Sequence, residues 1–233
     1  MSLMLSSCFL ILTVAAASDL IPTQPDLQKA EPNLHIRFVN AASSVLSQQI
    51  ANGAPYDVFL SANAQFVDQL ASNGKLRPDS VRTYAIGRVA ILWQDKKSHS
   101  VSDLKQNWVR FVALANPRLA PYGAAAQQAL EHAGLWPALK GKIVYGENVR
   151  QALQLFDSRN ADVVLTAFSL VVDRRPDLIP ADWHAPIVQK AGIVAASPNQ
   201  SEADAFLRFL VSPVGQAIFA KFGLSPAKAV VKP

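Results

Sequence analysis

The chain has 233 residues, half of them hydrophobic and 17% charged, with a formal net charge of +5. That balance excludes a disordered, charge-rich segment, and the length suits one large α/β domain or two small ones with real cores. Basic residues occur singly or in pairs such as Lys96-Lys97 and Arg174-Arg175, never as a stripe interleaved with aromatics, so a general attraction for anions is expected and nucleic-acid binding is not.

Residues 1–17 are uncharged, largely apolar and end in small residues as a signal peptide does, but they lack its basic start and are short for a membrane span. Leu5-Ser6-Ser7-Cys8 resembles a lipoprotein cleavage box only superficially, because no adequate apolar segment precedes it. We read residues 9–17 as the first core strand and residues 1–8 as a remnant of processing. Cys8, the single cysteine, has no internal disulfide partner.

After Ser18 the sequence DLIPTQPDLQKAEP compromises the helix one expects. Pro22 fits a first turn, whereas Pro25 restarts or breaks the helix. Residues 34–40 alternate as a strand. Residues 44–52 then read as a helix ending at Gly53, with Leu46 and Ile50 four apart on one face. Residues 58–60 form a short apolar strand, and Ser61 or Asn63 caps a helix carrying Phe66, Val67 and Leu70 that stops at Asn73-Gly74. Asp57, at the strand entrance, reads as a turn or cap acceptor.

Two long apolar runs, residues 82–93 and 186–196, bracket a series of alternating strands and helices, and a pair of helices follows the second run. Such an order suits an α/β protein of two lobes, each a mixed sheet flanked by helices. The two runs would be the strands that cross between lobes, and the C-terminal helices would return to the first. Residues 1–86 and 195–233 are assigned to lobe I and residues 87–194 to lobe II, with the ligand cleft between them.

The most informative stretch is FVALANPRLAPYGAAAQQAL, residues 111–130: a buried strand, a turn, and a helix starting near Gly123. The first N–H groups of a helix lack internal partners and lie at the positive end of its dipole, so such a turn holds an anion without a cationic side chain. The chain repeats the device after residues 10–17, 36–39 and 142–145, where Ser18, Asn40-Ala41-Ala42-Ser43-Ser44 and Gly146-Glu147-Asn148-Val149 follow. Ser18 and Ser43 are placed either to cap helices or to offer hydroxyls to a ligand.

The ordered set LTVAAAS, ASS followed by Gln49-Ile50, NGAPYDVFLSA, Asn116-Pro117 to Gly123, YGENV and Lys221-Phe222-Gly223 resembles the periplasmic molybdate-binding proteins of ABC transporters over nearly the whole chain. The resemblance implies a class II substrate-binding fold that closes on a tetrahedral oxyanion, molybdate or tungstate, using hydroxyls and backbone N–H groups. It implies an ABC transporter permease as partner, a monomer, a periplasmic location, and no cofactor, metal site or enzymatic activity.

Matched position by position, the resemblance puts the two serine donors at Ser18 and Ser43 and the two backbone donors at Tyr122 and Val149. The tyrosine that many members place on the ligand falls here on Ala167 or Phe168, neither with a donor side chain, and the small residue usual in the Pro-x-Gly turn is Tyr122. The phenol of Tyr122 is therefore expected to fill the vacant space and to supply the missing donor.

Hydrogen bonds to a charged group contribute about 1.5–3 kcal/mol each, so five to seven offset an association cost of about 4–15 kcal/mol without any Lys or Arg. A site of donors alone favours a fully deprotonated dianion; protonated phosphate brings a donor with no acceptor to meet it. His35, His99, His132 and His184 lack metal-ligand spacing, and no nucleophile elbow, phosphate loop or paired-carboxylate motif occurs. The alternatives are the same fold binding sulfate or a small organic acid, and the ligand-sensing domain of a regulator. No helix-turn-helix segment precedes the first strand to support the latter.

Overall fold

A computed structural model describes residues 11–226. In chain order the elements are β1 (Ile11–Ala17), α1 (Gln24–Ala30), β2 (His35–Ala41), α2 (Ser43–Ala51), β3 (Val58–Ser61), α3 (Ala64–Ser72), β4 (Arg82–Gly87), β5 (Val89–Trp93), β6 (Val112–Ala115), α4 (Pro121–His132), α5 (Trp136–Leu139), β7 (Ile143–Gly146), α6 (Val149–Asp157), β8 (Val163–Ala167), β9 (Asp177–Leu178), β10 (Ile187–Ile193), α7 (Gln200–Leu210) and α8 (Pro213–Lys221). They build two five-stranded mixed sheets, ordered β2-β1-β3-β10-β4 and β7-β6-β8-β5-β9. Cys8 and the segment that resembles a signal peptide or lipoprotein box lie outside the described residues, apart from residues 11–17 of its strand.

Each sheet is covered on both faces, which is why its strands read as continuous apolar runs. In the first, Leu12, Val14 and Ala16 face one core, shared with Phe206, Leu210 and Phe219 of α7 and α8. Ala15 faces the other, with Leu46 and Ile50 of α2 and Val67 and Leu70 of α3. In the second, Val89, Ile91 and Trp93 face the side covered by α4, while Ala90 and Leu92 face that covered by α6. Each fully buried Leu, Val or Phe contributes roughly 1.5–3 kcal/mol.

Pro25 acts as expected, α1 starting afresh with it in its first turn, whereas Pro22 lies inside a 3-10 segment of residues 18–23 rather than in a first turn. Asp57 is a structural acceptor, taking the Thr13 N–H at 2.6 Å and the Ser197 hydroxyl at 2.6 Å. Asn63 caps α3 through the Gln65 N–H.

The sheets divide the chain differently from the expected crossing strands. The first apolar run breaks at Arg88 into β4 of the first sheet and β5 of the second. The second run, expected in lobe II up to residue 194, gives β10, which lies wholly in the first sheet, antiparallel to both β3 and β4. With a partner on each edge, the β10 backbone has its hydrogen bonds met in the first sheet. The pairing of β10 with β4 skips Tyr84 between Gln189 and Lys190, a bulge of the sort that re-aims side chains.

Candidate ligand site between the two sheets

The parallel strands β1, β2 and β3 run in register in the first sheet, as β6, β7 and β8 do in the second. Their carboxyl ends therefore gather on one edge of each sheet, the position where open α/β sheets bind ligands. The two edges meet in a small, tight cleft lined by Ala17, Ser18, Asp19, Ala41, Ala42, Ser43 and Ala62 from the first lobe and Ala120, Pro121, Tyr122, Asn148 and Val149 from the second. Four of the five expected site residues, Ser18, Ser43, Tyr122 and Val149, thus come together. Ala167 is not among the residues lining the cleft: it is buried at the end of β8, paired with Val89.

Ser43 opens α2 and its Oγ accepts the Ala62 N–H at 3.1 Å, which leaves the hydroxyl proton free to donate. Ser18, directly after β1, is buried and lines the cleft. Tyr122 and Val149 occupy the first turns of α4 and α6, where backbone N–H groups have no acceptor within the helix. Asn148 caps α6 through the N–H groups of Arg150 and Gln151, so the Val149 N–H is not consumed. Gly123 holds α4 against β6: a Cβ there would lie 2.2 Å from the Ala115 carbonyl oxygen. No Lys, Arg or His lines the cleft; Arg150 is exposed and makes no ion pair among the described residues.

The Tyr122 phenol does not take the expected role. Its hydroxyl donates to Asp19 Oδ2 at 2.9 Å and accepts from Gln189 Nε2 at 3.0 Å, so its one proton is engaged. Gln189 Nε2 also donates to Asp19 Oδ2 at 2.6 Å, and Tyr84 donates to Gln189 Oε1 at 2.7 Å, which fixes the amide's orientation. This buried network passes between lobes, since Tyr122 belongs to the second and the other three to the first. The Ser169 hydroxyl donates to the Asp19 carbonyl at 2.7 Å, and that of Ser44 to the Leu119 carbonyl at 2.8 Å. The lobes are held shut by polar bonds on both sides of the cleft.

Burial pushes the Asp19 carboxyl up to about 6, although the bonds from Tyr122 and Gln189 pull the other way. Burial also raises the Tyr122 and Tyr84 phenols well above their usual range, with the Asp19 charge adding to the effect. Asp19 Oδ1 has no partner among the described residues. Sequence reasoning passed over Asp19 and Gln189. The available signals were an acid immediately after the candidate Ser18 and a glutamine inside an apolar strand. Among the described residues no group of His, Cys, Asp and Glu side chains could hold a metal ion.

A family model of bacterial extracellular solute-binding proteins matches residues 12–225. The chain belongs to that family. It is 34% identical to the molybdate-binding protein ModA of Rhodobacter capsulatus over 198 residues, covering 81% of this chain and 76% of that protein. Among solved structures, the Azotobacter vinelandii periplasmic molybdate-binding protein superposes with a TM-score of 0.86 at 31% identity, over 91% of this chain and 98% of that one. The substrate-binding domain of a putative molybdenum ABC transporter from Clostridium difficile gives 0.70 at 28% identity, over 93% and 99%. The two-lobe architecture expected from the sequence is thus that of a solute-binding protein.

Proposed function

We propose that this solute-binding protein is the extracytoplasmic component of an ABC importer and that its solute is a tetrahedral oxyanion, molybdate or tungstate. The ligand is held by the hydroxyls of Ser18 and Ser43 and the backbone N–H groups of Tyr122 and Val149. The observation that carries this reading is the convergence of these four donors on a cleft lined by no cation, with the Ser43 proton left free by the bond it accepts from Ala62. Such a site supplies donors without bringing one acceptor per donor, which suits a dianion and disfavours a partly protonated one. The relatives named for molybdate binding support the same choice.

The lobes open about the Arg88 break and the connection from β9 to β10, and the ligand bridges Ser18 and Ser43 on one side to Tyr122 and Val149 on the other. Only the closed form completes the donor set, so ligand shifts the population toward it, and a permease reads the closed shape of the monomer. The Tyr122 side chain acts as a latch between lobes, and Ala167 takes no part. Isothermal titration with molybdate, tungstate, sulfate and phosphate at neutral pH tests the assignment: saturable binding of the first two alone is expected, and binding of none overturns it.

A further inference from the structure

Asp19 is an odd occupant of an oxyanion cleft: an acid, 1% exposed, carried one residue after Ser18 and lining the same small space. Its two oxygens are treated unequally. Oδ2 accepts from both the Tyr122 hydroxyl and the Gln189 amide, whereas Oδ1 is buried without a partner. That asymmetry is the pattern of a protonated carboxylic acid, with a carbonyl oxygen accepting two bonds and a hydroxyl oxygen carrying a proton that awaits an acceptor. An ionised Asp19 would instead set unsatisfied lone pairs beside an incoming dianion.

Resting on the reading of this cleft as the oxyanion site, we propose that Asp19 binds a proton together with the anion, its Oδ1–H becoming a further donor to the ligand, so that uptake of the solute is linked to uptake of one proton. The proton comes from solvent and adds to the carboxylate; no bond in the anion is made or broken. The titratable groups facing the carboxyl are the phenols of Tyr122 and Tyr84, both neutral because burial raises them. Charged side chains on the surrounding elements are Asp26 and Lys29 of α1, His35 and Arg37 of β2, Arg82 of β4, Glu131 and His132 of α4, Arg150 and Asp157 of α6 and Lys190 of β10. None of them contributes to the displacement of the carboxyl, which is raised to about 6 by its burial. A dianion alongside raises it further.

The test is titration calorimetry with molybdate between about pH 6.5 and 8.5 in buffers of different ionisation enthalpy, which counts protons exchanged on binding. The parent protein is expected to take up about one proton per anion at the alkaline end, with affinity falling roughly tenfold per pH unit there. Asp19→Asn, whose amide N–H replaces the proposed O–H, is expected to bind molybdate with no proton uptake and a flat profile. Should Asp19→Asn fail to fold, difference infrared spectroscopy of the parent decides, through the carbonyl band of a protonated carboxyl in the complex. Molybdate binding by the parent without proton uptake, or an undiminished uptake in Asp19→Asn, overturns the proposal. A parent that binds no molybdate overturns the oxyanion reading instead.

Discussion

Gly87→Ala should separate closure of the lobes from their stability. Gly87 ends β4 at the point where the chain leaves the first sheet, and a Cβ there would sit 2.1 Å from Tyr122 Oη, 2.8 Å from its Cζ and 3.2 Å from Gln189 Nε2. Ordinary contact begins at 3.4 Å, so the phenol tip must retreat by 3.4 − 2.1 = 1.3 Å or more. A retreat of that size carries the hydroxyl out of hydrogen-bond range of Asp19 and Gln189, at present 2.9 and 3.0 Å away. Losing one bond to a carboxyl and one neutral bond costs about 2–4.5 kcal/mol in sum. Both bonds join the lobes, so the cost falls on the closed form. The dissociation constant for molybdate is expected to rise roughly 30- to 2,000-fold, while unfolding of the unliganded protein shifts less. Because Tyr122→Phe removes the same two bonds, adding it to Gly87→Ala should cost little more than either change alone, a non-additivity that a double-mutant cycle measures. Affinity within twofold of the parent, in a Gly87→Ala protein that folds, would refute the account of Tyr122 as a latch.

Ser43→Ala removes a proposed donor to the anion and also strands the Ala62 N–H; titration should show affinity weakened by about 1.5–3 kcal/mol, or roughly 10- to 150-fold, and an unchanged affinity would exclude Ser43 from the site. Tyr122→Phe alone leaves the proposed backbone donor in place but removes the same two bonds from the closed form, so titration should show molybdate affinity weakened by about 1–3 kcal/mol with ligand selectivity unchanged. Asp19 also sets a pH dependence. Its carboxyl rises from 3.8 to about 6 in the folded protein, so the folded state binds the proton more tightly than the unfolded chain. Stability is unpenalised below about pH 4 and falls as pH rises toward 6, the gap corresponding to about 3 kcal/mol. The unfolding free energy of Asp19→Asn relative to the parent should therefore grow over that window, and parallel pH curves for the two proteins would contradict it.

Much of the architecture was legible because it depends on local chemistry. Runs of Val, Leu, Ile and Ala bounded by turn formers identify strands buried on both faces, and Asn63, Asn73-Gly74 and Pro25 mark where helices begin, end or restart. The positions of Ser18, Ser43, Tyr122 and Val149 followed from a repeated strand–turn–helix pattern and from the family resemblance, and the parallel register of each sheet carries all four to one cleft.

What the sequence could not determine is which distant residues meet. An unbroken apolar run across residues 82–93 has the same appearance whether it serves one sheet or two; the break at Arg88 is set by the partners available on each side. The run containing β10 likewise joined the first sheet because β3 and β4 satisfy both its edges there. The phenol of Tyr122 was free to reach the ligand in any reading of the chain alone, since Asp19 lies 103 residues away and Gln189 lies 67 away. Only packing of one lobe on the other brings that hydroxyl to a buried acid, and only burial, a property of the assembled fold, raises the Asp19 carboxyl above its ordinary range.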